Sequence, residues 1–297
     1  MHERMSADFF VIWALCLVVA LLLQIAANFA NDYSDGMRGT DAARTADATQ
    51  AVDAAHMGDA PGGDGAAAAP SRLVASGTNP MHVLLASIVS AALACEAGLA
   101  VIVMTKQWWL MAIGVAGLLA GWFYVGGRHP YGYRGLGGVA VFVFFGLAAT
   151  LGTEFALVSR ITAMGVCGAV SAGASACVVL GVNNMRDVRT DAAADKRTLA
   201  VILGRRGASV VMLAELLLSM VALCAAVVIL RSPLGICGAL LAFSIAIVCM
   251  NDVWDCGFAD VSDGGPDPAV DFRAMFRHAI AFSVALAVGY ALCIITL

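Results

Sequence analysis

Eight apolar runs dominate the chain, at residues 8–30, 81–104, 108–126, 138–158, 161–182, 208–230, 233–250 and 276–296. Each approaches the ~20 residues that cross a bilayer as a helix. Inside lipid every backbone polar group must be bonded internally, which leaves only helices or a closed barrel. The runs are continuous, unlike the alternating ten-residue segments of a barrel, so helices are predicted. Composition agrees. Of 297 residues 61% are hydrophobic and 13% charged, with mean hydropathy +0.87, whereas soluble domains carry about 25% charged residues. The predicted fold class is an all-α integral membrane protein with about eight transmembrane helices. A soluble enzyme and a disordered chain are excluded. The net charge of −4 offers no basic stripe, so no nucleic-acid partner is expected.

The loops alternate long and short. Loops 31–80, 127–137, 183–207 and 251–275 are long and polar, while the turns near Lys106, Arg160 and Arg231 are short. Thirteen of the seventeen Lys and Arg lie on the long-loop side, which the positive-inside rule places in the cytoplasm. Sixteen of the seventeen Asp share that side, so any acidic chemistry is expected there. The first run follows Arg4 like a signal peptide, but it exceeds a signal core and lacks a small-x-small cleavage site. It is therefore expected to remain as a spanning helix. Ala, Gly, Val and Arg are abundant and Lys is scarce, which suggests a GC-rich bacterial genome. Residues 42–69 form a low-complexity Ala/Gly/Asp/Thr/Pro stretch too poor in apolar side chains to order itself. The domain plan is thus one transmembrane domain, 1–297, with a cytoplasmic insertion at about 42–69.

Nine cysteines show no Cys-x-x-Cys and no zinc spacing. Eight sit in apolar runs and Cys256 opens a polar loop, so they are expected to pack as small apolar residues.

Two polar clusters close apolar runs. If the first helix continues, Asn28, Asp32 and Asp35 fall at i, i+4 and i+7 on one face. At the end of the fifth run Asn183, Asp187 and Asp191 fall at i, i+4 and i+8. Carboxylates gathered at a membrane boundary repel one another unless a cation neutralises them. Mg²⁺ takes oxygen ligands and bridges carboxylates to substrate phosphates, so Asp32, Asp35, Asp187 and Asp191 are the candidate metal ligands. Helix capping and solvated turns are the competing reading for each cluster alone; the matched pair favours metal. A third set, Asn251, Asp252 and Asp255, copies the spacing of Asn31, Asp32 and Asp35. It lacks a companion basic motif and is read as a capped helix end leading into an acidic loop.

At these residues the sequence resembles the UbiA-type membrane prenyltransferases, and within them the 1,4-dihydroxy-2-naphthoate polyprenyltransferases of menaquinone synthesis. The likeness rests on NFANDYSDGMRGTD (28–41), RLVASG (72–77), the stretch 124–152 containing YGYRGLGG, and VNNMRDVRTDAAADKRTLAVILG (182–204). It implies transfer of a polyprenyl group from its diphosphate to dihydroxynaphthoate, with loss of CO₂ and diphosphate. Implied catalytic residues are Asp32, Asp35, Asp187, Asp191 and Lys196. Implied substrate-binding residues are Asn28, Asn31, Arg72, Asn183, Asn184, Arg186 and Arg197. Tyr124, Tyr131 and Tyr133 match aromatic positions near the family's pocket, although interfacial aromatics would look the same. The implied cofactor is Mg²⁺. The implied partners are polyprenyl diphosphate, dihydroxynaphthoate and the bilayer, in a multi-pass bacterial plasma-membrane protein whose site faces the cytoplasm.

Gly138 stands where the family usually carries an acid, and Asp195 where Gly commonly precedes the motif's Lys. The family fold has nine helices, one more than the eight runs here. The resemblance therefore implies a further helix upstream of Met1, without which low stability or activity is expected. Other UbiA-type acceptors, such as 4-hydroxybenzoate or a haem or chlorophyll precursor, remain open. Outside the family, a CDP-alcohol phosphatidyltransferase lacks its Asp-Gly-x-x-Ala-Arg signature here. A transporter would place more ionisable groups at mid-membrane than Glu96, Glu154 and Glu215.

Overall fold

The computed structural model describes residues 7–39, 72–127, 130–258 and 270–295. The insertion at 42–69 lies outside the described residues. The helices are α1 (Ala7–Met37), α2 (Pro80–Thr105), α3 (Leu110–Val125), α4 (Gly137–Val158), α5 (Ala163–Arg186), α6 (Val188–Ala193), α7 (Leu199–Leu230), α8 (Pro233–Phe258) and α9 (Phe272–Ile295). A 3₁₀ turn covers Tyr131–Tyr133. The described residues contain no named strand.

Seven of these helices are long and apolar enough to span a membrane. The run predicted at 108–126 forms only the 16-residue α3. At 1.5 Å per residue that is about 24 Å, short of a ~30 Å hydrocarbon core. Three long polar loops are shorter than expected, because the helices continue into them. α1 runs on to Met37, α8 carries Asn251–Asp255 within its last turns, and α7 begins at Leu199 rather than near 208. Inside α7, Gly204 takes φ 68 and ψ 175, a left-handed kink that Gly adopts without a Cβ penalty. The cysteines are only partly buried as expected. Cys177, Cys249, Cys256 and Cys293 are buried, while Cys95, Cys224 and Cys237 are exposed on helices whose exposed surface is otherwise largely apolar.

The chain divides into two compact units. The first, Met1–Arg134 with Asp187–Arg197, holds α1, α2, α3, the 3₁₀ turn and α6. α1 packs along α2 and is fastened at Ala26, whose carbonyl accepts a 2.8 Å hydrogen bond from Ser87 Oγ. Pro80 opens α2 where its missing N–H costs nothing, and the Asn79 side chain accepts from Met81 N at 2.9 Å.

The second unit, Gly135–Arg186 with Thr198–Leu297, holds the other five helices. α4 widens to a π-helix over Val141–Ala148. There Gly146 meets Gly173 of α5 so closely that a side chain on either would strike its neighbour. Such small-residue contacts let helix backbones approach within lipid, where no hydrophobic force draws helices together. Ser171 Oγ of α5 donates to the Ser219 carbonyl of α7 at 2.8 Å and lies 2.9 Å from Tyr290 Oη of α9. Glu154 Oε1 accepts from Thr162 N and Oγ1, joining the end of α4 to the start of α5.

Candidate active site

The site is assembled within the first unit, where the last turns of α1 carry Asp32, Ser34 and Asp35, all buried. The Asp32 carboxylate accepts from Leu73 N at 2.9 Å and Val74 N at 3.4 Å, which ties the turn after Arg72 to α1. Asp35 is the hub. Its carboxylate receives Arg72 Nη1 at 2.5 Å, Tyr133 Oη at 2.6 Å and Lys196 Nζ at 3.2 Å. Its side chain is 3% exposed, so these partners offset the desolvation of its charge.

Lys196 also reaches Asp191, with Nζ 3.7 Å from Oδ1. Two buried carboxylates thus share one ammonium, and Arg72 balances the remaining charge. Backbone bonds hold this geometry. Asp191 N donates to Asp187 O, Lys196 N to Asp191 O, and Arg197 N to Tyr133 O. Asp195 turns the chain before Lys196 with φ 54, a left-handed conformation that explains why Gly would suit this position.

The second motif is not one helical face, as its spacing predicted. α5 ends at Arg186 and Asp187 leaves the helix at φ −93, ψ 9, so Asp187 and Asp191 flank the short α6. Thr190 Oγ1 and Asp191 N both bond to Asp187 O, closing that turn. Asn183, Asn184 and Arg186 close α5, which belongs to the second unit. Asn28 is exposed on α1, and Asn31 is half-buried. Among the described residues no hydrogen bond joins either to the cluster. Arg197 enters through its backbone alone, with its side chain exposed.

Of the three tyrosines, Tyr133 is a member of the cluster. Burial, then the nearby Asp35 charge, raises its phenol well above the ordinary value, so it stays a donor. Tyr131 donates instead to the Ala120 carbonyl at 2.8 Å and packs edge-on to Tyr124 at 5.5 Å. Burial raises the Tyr131 phenol as well. Two residues escaped the sequence reading. Ser34 Oγ donates to Val125 O, and Arg38 bonds Ser34 Oγ and the Val125 and Gly127 carbonyls. Arg38 and Lys196 each lie 5.1 Å from the Tyr133 ring centre, within cation–π range. The signal for Ser34 and Arg38 in the sequence is their i, i+4 spacing on the helix that carries Asp35.

Among the described residues no three His, Cys, Asp or Glu side chains group as a metal set. The donor chemistry nevertheless fits a hard divalent cation, since Asp35 and Asp191 already converge on one positive charge through oxygen atoms alone. The third acidic set behaves as a helix contact. Asp252 on α8 pairs with His278 Nδ1 of α9 at 2.7 Å.

Spanning helices with a buried acid–base cluster beside the end of one of them define a multi-pass membrane protein built to handle a charged group. The UbiA prenyltransferase family model matches residues 3–257, and the chain belongs to that family. Members of the family generally bind their diphosphate through a divalent metal. The chain is 44% identical over 191 residues to the 1,4-dihydroxy-2-naphthoate octaprenyltransferases of Mycobacterium tuberculosis and Mycobacterium leprae. It is 33% identical over 193 residues to the enzyme of that name from Haemophilus influenzae. The mycobacterial matches take in 64% of this chain and 57% of each relative, and the Haemophilus match takes in 65% and 58%. The chain thus spans little more than half the length of these relatives. No solved structure matches it.

Proposed function

We propose that the protein, as a single transmembrane domain, transfers a polyprenyl group from polyprenyl diphosphate to 1,4-dihydroxy-2-naphthoate, releasing CO₂ and diphosphate and giving a demethylmenaquinol. The observation that carries this reading is Lys196 held between Asp35 and Asp191, with Arg72 on the same carboxylate. The names of the similar proteins support the choice of acceptor.

The chemistry follows from these groups. The C1–O bond of the allylic diphosphate breaks with its electron pair moving to the diphosphate. Arg72 and Lys196, released from Asp35 in exchange for phosphate oxygens, stabilise that charge as it develops. The naphthoate ring bonds to C1, and the bond to CO₂ leaves its pair in the ring. Asp32, Asp35, Asp187 and Asp191 would hold Mg²⁺, which supplies Lewis-acid neutralisation of the diphosphate when bound. Tyr133 fixes the Asp35 carboxylate and underlies the Lys196 ammonium, so both keep their places as the substrate exchanges for the ion pair. The helices exclude water from the allylic cation. The site faces the cytoplasm of a bacterial plasma membrane, a placement supported by the crowding of Arg and Lys on that side.

Complementation tests this reading. The gene should restore menaquinone to a bacterium lacking its own dihydroxynaphthoate prenyltransferase, and the Lys196→Ala form should not. A fully expressed wild-type chain that restores none would overturn it.

A further inference from the structure

Within the first unit the end of α1 is joined to the end of α3 by a side chain that belongs to neither aspartate cluster. None of the residues of α3 is fully buried, so side-chain packing does little to fix where that helix ends. The last carbonyls of a helix have no partner within it. At α3 two groups from α1 supply partners. Arg38 Nη2 donates to the Val125 carbonyl at 3.3 Å and to the Gly127 carbonyl at 2.9 Å. Ser34 Oγ donates to the Val125 carbonyl at 3.0 Å and accepts from Arg38 Nε at 3.2 Å. A cation at that place also meets the negative end of the helix dipole.

The Tyr131–Tyr133 turn begins four residues after Gly127. Tyr131 ties it back to α3 through the Ala120 carbonyl, and Tyr133 carries it to Asp35 of α1. Asp35 and Arg38, three residues apart on α1, thus hold the two ends of the segment 125–133. Ser34 does not hold Tyr133 directly. A hydroxyl has one proton; that of Ser34 goes to Val125 and that of Tyr133 to Asp35, so their 3.4 Å contact carries none. Of the three partners described for the Asp35 carboxylate, Tyr133 is the one that is not a cation. A diphosphate draws Arg72 and Lys196 away and leaves Tyr133 in place.

We propose that Arg38 is a positioning residue. By capping α3 it holds the Tyr131–Tyr133 turn, so that the Tyr133 hydroxyl stays on Asp35 while the two cations pass to the diphosphate. The consequence for rate rests on the proposed prenyl transfer; the clamp itself does not. Arg38 acts through Tyr133, and its own N–H groups are engaged by carbonyls and by Ser34.

Hydrogen exchange and kinetics on the full chain in lipid nanodiscs test this. Arg38→Gln removes the planar fork. Exchange at the Tyr133 and Arg134 amides, which bond within the turn, should quicken about fivefold or more, with exchange in α5 and α9 unchanged. The kcat for transfer should fall about fivefold, less than the cost of losing the hydroxyl altogether, with KM for polyprenyl diphosphate unchanged. In a Tyr133→Phe chain the same change should lower kcat by less than about twofold, because no hydroxyl remains to be positioned. Arg38→Lys keeps a donor without the fork and should fall between on both measurements, which covers a poorly inserted Arg38→Gln chain. Unchanged exchange in the turn, equal kcat losses with and without the Tyr133 hydroxyl, or a raised KM with kcat intact would overturn the proposal. Absent transfer by the wild-type chain would count against the proposed function, while exchange would still decide whether Arg38 holds the turn.

Discussion

Lys196 Nζ lies 3.2 Å from Asp35 Oδ1, although 161 positions separate them in the chain. Asp191 meets the same ammonium at 3.7 Å. Both motifs therefore contribute to one charge cluster, and a cation joins them. A phosphate-bearing substrate would compete for Lys196 and Arg72, while a metal ion would compete with both for the carboxylates.

Lys196→Ala should lower prenyl transfer at saturating substrates by about 10²-fold, the usual cost of one group that stabilises a developing oxyanion. Lys196→Arg should keep part of the rate, because the charge remains while the geometry changes. Initial rates in membranes containing equal amounts of each protein check this. A Lys196→Ala rate within twofold of wild type would remove Lys196 from the site.

Asp32→Ala and Asp187→Ala should each reduce transfer about 10²-fold or more even at saturating Mg²⁺, while the protein stays inserted. Chelation of divalent cations should silence the wild type reversibly. Asp252→Ala is the control, since its carboxylate serves the α8–α9 contact with His278, and it should retain most activity. A metal titration of all three variants reads the difference.

Much of this was legible in sequence because helical spacing is local. The first cluster needed only α1 to continue, and it does, to Met37. The second motif departs from the single helical face its spacing predicts because Asp187 abandons helical geometry, which no periodicity reveals. Asn28 satisfied the spacing yet is exposed, since sharing a face with Asp32 does not fix what that face meets. Tyr133 could be placed near a pocket by its motif, but its bond to Asp35 joins residues 98 apart and depends on tertiary packing.

Tyr133→Phe removes the 2.6 Å donor to Asp35 while keeping the ring beneath Lys196, so transfer should fall about tenfold rather than vanish. The raised phenol also sets a pH window. Because its folded value lies above the ordinary ~10, the neutral donor and its contribution to stability are complete below pH ~10 and are lost as pH rises further. Ultraviolet difference titration of wild type against Tyr133→Phe should show no phenolate from Tyr133 below pH ~10. A Tyr133-dependent signal near pH 9 would contradict this.

Asp195 occupies a left-handed turn at φ 54 immediately before Lys196. Asp195→Gly should therefore be tolerated, with activity and thermal stability close to wild type. Asp195→Val should destabilise the turn by ~1–2 kcal/mol, because a branched Cβ opposes that conformation. Thermal unfolding in detergent compares the two, and equal stability would refute the reading of the turn.

Mass spectrometry of the reaction product tests the proposed activity most directly. Membranes containing the wild-type chain would receive 1,4-dihydroxy-2-naphthoate, a polyprenyl diphosphate and Mg²⁺. The expected result is a demethylmenaquinol, or its oxidised quinone, bearing the supplied prenyl chain and lacking the carboxyl group, with none formed by Asp187→Ala membranes. A prenylated product that keeps the carboxyl group, or no prenylated naphthalene from well-inserted wild-type protein, would contradict the proposed reaction.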